Sequence, residues 1–66
     1  MSITHKLADK VRVKRRKKRW TQVELAEKTG VSRQTIIRLE NHQLDSLPTK
    51  YVERIADALG IRITVR

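Results

Sequence analysis

The feature that most constrains the fold lies at residues 20–41, WTQVELAEKTGVSRQTIIRLEN, where two helix-start signals flank a single glycine. Thr21 followed by Glu24 is the pattern of a capping box, in which each side chain satisfies a backbone N–H of the other residue. Ser32 is a favourable N-cap for a second helix, and Gly30 suits a left-handed helix end. The stretch therefore predicts two short helices joined by a tight turn, over about residues 21–29 and 33–41.

The apolar residues of this stretch form one set that spans the predicted turn: Leu25, Ala26, Val31, Ile36 and Leu39. Ala26 is small at a point where two crossing helices would approach closely. Two helices that share an apolar set across a short glycine-containing turn describe a helix-turn-helix, which places its second helix in the DNA major groove. The first turn of that second helix leaves Arg33, Gln34 and Thr35 without an evident structural role.

Two further helices and one strand are predicted outside this stretch. The apolar residues Ile3, Leu7 and Val11 recur every four positions and predict a first helix over about residues 3–18, although Lys14 interrupts the stripe. The segment TKYVERIADALG, residues 49–60, has a helical apolar stripe that Gly60 closes. The tail IRITVR, residues 61–66, alternates as a strand does.

The sequence predicts one all-α domain over residues 1–60, a bundle of four to five helices, followed by a C-terminal strand. No other stretch reads as a strand, and an unpaired strand leaves its backbone groups unsatisfied. We therefore expect the strand to pair with its copy in a second subunit through Ile61, Ile63 and Val65. The chain has 66 residues and no cysteine, so helix packing or oligomerisation must stabilise it.

Charge indicates the class of partner. Sixteen Lys and Arg against seven Asp and Glu give a net charge of +9, which favours a polyanion, nucleic acid first and an anionic membrane surface second. A solvated basic face that aids solubility is the alternative. We predict phosphate contacts from the run that precedes the helix-turn-helix, namely Arg15, Arg16, Lys17, Lys18 and Arg19.

The segment TQVELAEKTGVSRQTIIRLEN resembles the helix-turn-helix of the Cro and phage-repressor family, also called the XRE family. The resemblance covers roughly residues 7–61 and extends to VERIADALGI in the fourth helix. It implies a lambda-repressor-like bundle and a transcriptional regulator, most often a repressor. Such a protein binds a pseudo-palindromic operator in double-stranded DNA as a homodimer.

The resemblance also assigns roles to single positions. Gln22 matches a glutamine that touches a phosphate and braces the recognition helix, and Ser32 and Asn41 match phosphate-contacting positions. Base contacts are implied for Arg33, Gln34 and Arg38, and we add their neighbours to the predicted DNA-binding set, namely Thr35, Ile37 and His42.

The sequence departs from the family pattern at several of its positions. Ile37 stands where a polar residue is usual, so it either meets a thymine methyl group or extends the core. His42 and Arg19 stand where glycine is frequent, and Lys14 where an apolar residue is. These departures leave open the shape of the loop after the third helix and the end of the first helix.

Other functions have weaker support. The C-terminal strand resembles that of some antitoxins of this family, of the HipB type, so a toxin partner with autoregulation is one alternative. A basic membrane-surface or interaction module is a remote one, because the apolar face of the first helix is weak. His5 and His42 are isolated and no nucleophile or phosphate-loop motif occurs, so we expect no enzyme, metal or cofactor. With no signal peptide or membrane span, we expect a cytoplasmic protein associated with the nucleoid.

Overall fold

The computed structural model describes residues 3–62, with side chains from Lys6 onward, and shows four α-helices. They are α1 (Ile3–Lys17), α2 (Gln22–Thr29), α3 (Arg33–Glu40) and α4 (Thr49–Leu59). Each begins and ends within about one residue of its predicted bounds. The predicted all-α bundle is confirmed.

The helix-turn-helix has the local chemistry that its sequence predicts. The Thr21 hydroxyl accepts a hydrogen bond from the backbone N–H of Glu24 at 3.0 Å, and the Glu24 carboxylate accepts one from the Thr21 N–H at 3.0 Å. Gly30 closes α2 with φ +73°, a backbone conformation that side chains disfavour. The Ser32 hydroxyl then caps α3 by accepting from the Thr35 N–H at 3.1 Å.

A buried threonine, which the sequence did not single out, strengthens the turn between α2 and α3. The Thr29 hydroxyl donates to the carbonyl of Leu25 at 2.8 Å and accepts from the N–H of Val31 at 3.3 Å. Thr29 is 5% exposed, so these bonds satisfy polar groups that water does not reach. The orientation of α3 relative to α2 is therefore fixed by hydrogen bonds to residues before and after Gly30.

The core lies where the four helices meet. Its largest fully buried side chains come from every helix: Val11, Leu25, Ile36, Leu39 and Ile55. Burying each contributes ~1.5–3 kcal/mol relative to leaving it exposed. Helix α3 packs against α1 and α2, which leaves its opposite side facing outward.

The C-terminal end of α4 turns back onto the same core. Gly60 closes the helix with φ +68°, and the Ile61 N–H donates to the Ala56 carbonyl at 2.8 Å. Ile61 is partly buried and packs against the core of its own chain. The predicted dimerisation residues Ile63 and Val65 lie outside the described residues, and residues 61–62 belong to no helix or strand.

Two residues that stand in place of a frequent glycine adopt the conformation that favours glycine. Arg19, between α1 and α2, has φ +59°, and His42, just after α3, also has φ +59°. A left-handed conformation costs a residue with a Cβ roughly 1–2 kcal/mol. The backbone at Arg19 and His42 therefore has the left-handed conformation expected for glycine, although neither residue is glycine.

Candidate nucleic-acid interface

The outward face of α3 is polar and cationic. Ile36, Leu39 and Glu40 are its buried residues, and at 3.6 residues per turn the opposite side is formed by Gln34, Arg38 and the C-cap Asn41. All three are exposed, as is Arg33 in the first turn. The predicted base-contacting side chains, Arg33, Gln34 and Arg38, thus share the exposed surface of one short helix.

The N-terminal end of α3 is held by a hydroxyl pair. Besides its capping bond, Ser32 donates from its hydroxyl to that of Thr35 at 2.8 Å. Ser32 is exposed and Thr35 is partly buried. A helix N-terminus carries partial positive charge and favours a phosphate, so the cap lies where a DNA backbone contact is electrostatically favourable.

The C-terminal end of α3 is anchored by its one buried acid. Glu40 accepts from Arg15 Nε at 2.7 Å and from Arg15 Nη2 at 2.9 Å, and Gln22 Nε2 lies 3.4 Å from Glu40 Oε1. The hydrogen bond that Arg15 donates to Glu40, together with the negative charge of Glu40, raises the pKa of Arg15 above its ordinary value, against the opposing effect of burial. We call this group of Arg15, Gln22 and Glu40 the bracket, since it joins α1, α2 and α3.

Arg15 consequently has a structural role, and the phosphate contact predicted for it stays a prediction. Its Nη1 also donates to the Trp20 carbonyl at 2.8 Å, and its side chain is 11% exposed. The sequence held a signal for this: Ala8, Val11 and Arg15 follow the 3- and 4-residue spacing of a buried helical stripe. Arg15 continues that stripe, one position after the exposed Lys14 that interrupted it.

The remaining residues of the basic run lie at the surface, in the last turn of α1 and in the connection to α2. Arg16, Lys17, Lys18 and Arg19 are all exposed. The Lys18 ammonium lies 5.2 Å from the centroid of the Trp20 ring, and Lys28 from α2 lies 4.7 Å from it. Trp20 itself packs against the core, so its ring lies between the core and these two lysines.

Ile37 in α3 and His42 just after it are the two residues near the exposed face that differ from the family pattern, and their surroundings differ. Ile37 is partly buried and lies one turn after Arg33, at the side of the exposed face. His42 is exposed, and its Nε2 lies 2.8 Å from the Asp9 carboxylate of α1. Gln22, Ser32 and Asn41 complete the predicted set, and each lies at a helix end: Gln22 begins α2, Ser32 is the N-cap of α3 and Asn41 is its C-cap.

A capped turn that presents a polar, cationic helix on a bundle, as residues 21–41 do here, defines a helix-turn-helix DNA-binding domain. A family model described as helix-turn-helix matches residues 6–65. The chain belongs to that family, of the Cro and repressor (XRE) type, whose members regulate transcription. Comparison with curated proteins and with solved structures found no match. Across residues 3–62, none of the helices combines the length and apolar character needed to cross a membrane.

Proposed function

We propose that the protein is a sequence-specific repressor that binds a pseudo-palindromic operator in double-stranded DNA as a homodimer. The observation that carries the proposal is the state of Arg33, Gln34 and Arg38. These side chains are exposed on one helix, and among residues 3–62 none of them forms a side-chain hydrogen bond or ion pair. The backbone beneath them is fixed by the bracket and by two helix caps, so their donors are positioned for an external partner.

Base reading follows from the chemistry of these side chains. Arg33 has the paired donors that match guanine O6 and N7, and Gln34 has the donor and acceptor that match adenine N6 and N7. Each good bidentate pair contributes ~1–3 kcal/mol of discrimination against the wrong base. Because both lie in the first turn of α3, they would reach adjacent base pairs of one half-site.

Backbone binding is the role of Gln22, Ser32, Asn41 and the basic run at residues 16–19. These groups carry no sequence information, but they set the register of α3 in the groove. Each neutralised phosphate changes the slope of log K against log salt concentration by about −0.9. Affinity is therefore expected to fall steeply with salt.

The dimensions of the domain support a dimer on an operator that has two half-sites. Its Cα atoms extend over 30 × 22 × 19 Å, whereas successive half-sites of such operators lie ~34 Å apart. One copy of α3, eight residues long, cannot occupy two half-sites. A second copy related by a two-fold axis would place its α3 in the next turn of the same groove.

Selection from a random duplex library tests the function. The wild-type protein is expected to enrich a two-fold symmetric sequence with half-sites one helical turn apart. Arg33→Ala is expected to lose ~1–3 kcal/mol of preference at one base pair of each half-site. Arg54→Ala, which removes the same charge from an exposed position of α4, is the matched control and should select the wild-type site. Failure of the wild-type protein to enrich any symmetric site would overturn the proposal.

The dimer interface is tested by truncation after Arg62 rather than after Gly60. Removing Ile61 also removes a residue that packs on the monomer core, so loss of dimer would then be ambiguous. If residues 63–66 pair across the dimer, the protein lacking them sediments as a monomer at concentrations where the full chain is dimeric. An unchanged dimer would show that the interface lies elsewhere.

A further inference from the structure

One contact establishes which flank of α1 lies beside the end of α3. Asp9 Oδ1 of α1 is 2.8 Å from His42 Nε2, and His42 directly follows Asn41, the C-cap of α3. The side of α1 that carries Asp9 therefore borders the C-terminal end of the recognition helix.

Two arginines occupy the same flank. Arg12 and Arg16 follow Asp9 by three and seven residues, which places all three on one side of the helix. Both are exposed, and within residues 3–62 neither guanidinium has an ion pair or a hydrogen bond. Asp9 is the only acidic residue in the α1 sequence, and its carboxylate is in contact with His42.

The last turn of α3 has one cation of its own, Arg38, which the proposed function engages in base contacts, so a phosphate at this end needs positive charge from another element. The C-terminal end of a helix carries about half a negative charge, and Glu40 adds a carboxylate whose charge Arg15 balances. A DNA phosphate that approaches Asn41 therefore meets an unfavourable helix dipole, opposite in sign to that at Ser32. Arginines at this edge offset the dipole and offer planar paired donors that suit a phosphate.

From this geometry we propose that Arg12 and Arg16 form a phosphate-binding site for the duplex on which α3 docks, next to the C-terminal end of α3. The site rests on the proposed DNA binding. It brings Arg12, which lies outside the basic run, into the interface. It also separates Arg16 from its neighbour Arg15, whose guanidinium is committed to the bracket.

A pair of charge-matched double variants tests the site. Arg12→Gln/Arg16→Gln removes two charges from the flank that carries Asp9. Lys10→Gln/Lys14→Gln removes two charges at the same four-residue spacing from the other flank of α1, where both lysines are exposed. Duplex affinity is measured between 50 and 200 mM salt for the selected operator and for random duplex, with thermal unfolding to confirm the fold.

The arginine variant is expected to reduce the magnitude of the salt slope by ~1.8, which weakens binding about tenfold more at the low-salt end than at the high-salt end. The loss should be the same for operator and random duplex, because phosphates carry no sequence. The lysine variant should change the slope by less than half as much. Equal effects of the two variants, or no effect of the arginine variant, would overturn the site. Absence of duplex binding by the wild-type protein would overturn the proposed function, and the site with it.

Discussion

Arg15 and Glu40 are joined side by side, with Arg15 Nε 2.7 Å from Glu40 Oε2 and Arg15 Nη2 2.9 Å from Glu40 Oε1. The pair ties the end of α1 to the end of α3, and its carboxylate side chain is 2% exposed. Because both charges are removed from most of the solvent, each depends on the other for compensation. The recognition helix is thus held by a charged contact as well as by its apolar face.

Breaking this pair from one side should be costly. Glu40→Ala leaves the Arg15 guanidinium without its counter-charge and is expected to lower the free energy of unfolding by ~3–5 kcal/mol. Arg15→Met/Glu40→Met replaces both charges with apolar volume and should recover most of that loss. Urea unfolding at neutral pH measures both free energies. Glu27→Ala, at an exposed position of α2, is the control and should change the free energy of unfolding by no more than ~0.5 kcal/mol. A double variant at least as unstable as Glu40→Ala would contradict the coupling.

Arg19→Gly should stabilise the protein. The backbone at Arg19 has φ +59°, and the relief of that strain exceeds the extra chain entropy of glycine by roughly 0.5–1 kcal/mol. Arg19→Ala removes the same charge but keeps a Cβ at a left-handed position, so it should give no such gain. Thermal unfolding of the two variants separates backbone from charge. Equal stability of Gly and Ala at this position would refute the strain.

Ser32 combines a structural and a binding role that substitution can separate. Ser32→Ala loses the α3 cap and should destabilise by ~1 kcal/mol, whereas Ser32→Gly should cost only a few tenths. Both remove the hydroxyl that is predicted to meet a phosphate, so both should weaken duplex binding to the same extent. If duplex affinity instead changed in proportion to stability, with Ser32→Gly binding almost as tightly as the wild type, the hydroxyl would serve only as the helix cap.

Ile37 lies partly buried at the side of the reading face, and we expect its side chain to meet a thymine methyl group. Ile37→Ser should then erase a thymine preference at one position of the selected operator and leave the other positions unchanged. Since Ile37 is outside the group of fully buried residues, the variant should remain folded. An unchanged operator with reduced stability would instead assign Ile37 to packing.

The sequence predicted the helix-turn-helix well because its signals are local. The capping box at Thr21 and the left-handed Gly30 depend on residues only a few positions apart, and both appear in the structure as predicted. The resemblance implied that Gln22 braces the recognition helix, but the part of Arg15 in the bracket was missed. Its bond to Glu40 joins residues 25 positions apart, and the basic run at residues 15–19 concealed the one arginine that continues a buried stripe. The contact of His42 with Asp9 spans 33 positions and was invisible for the same reason.

The central claim is that side chains on the outward face of α3 contact bases. It is tested most directly by replacing one base-contacting side chain and selecting the operator again. Arg33→Gln replaces a guanine-reading side chain with an adenine-reading one at an exposed position where neither side chain contributes to the core. The account predicts a selected operator that changes from guanine to adenine at one symmetric position and is otherwise that of the wild type. Selection of the unchanged wild-type operator, with affinity lowered equally for every sequence, would contradict it.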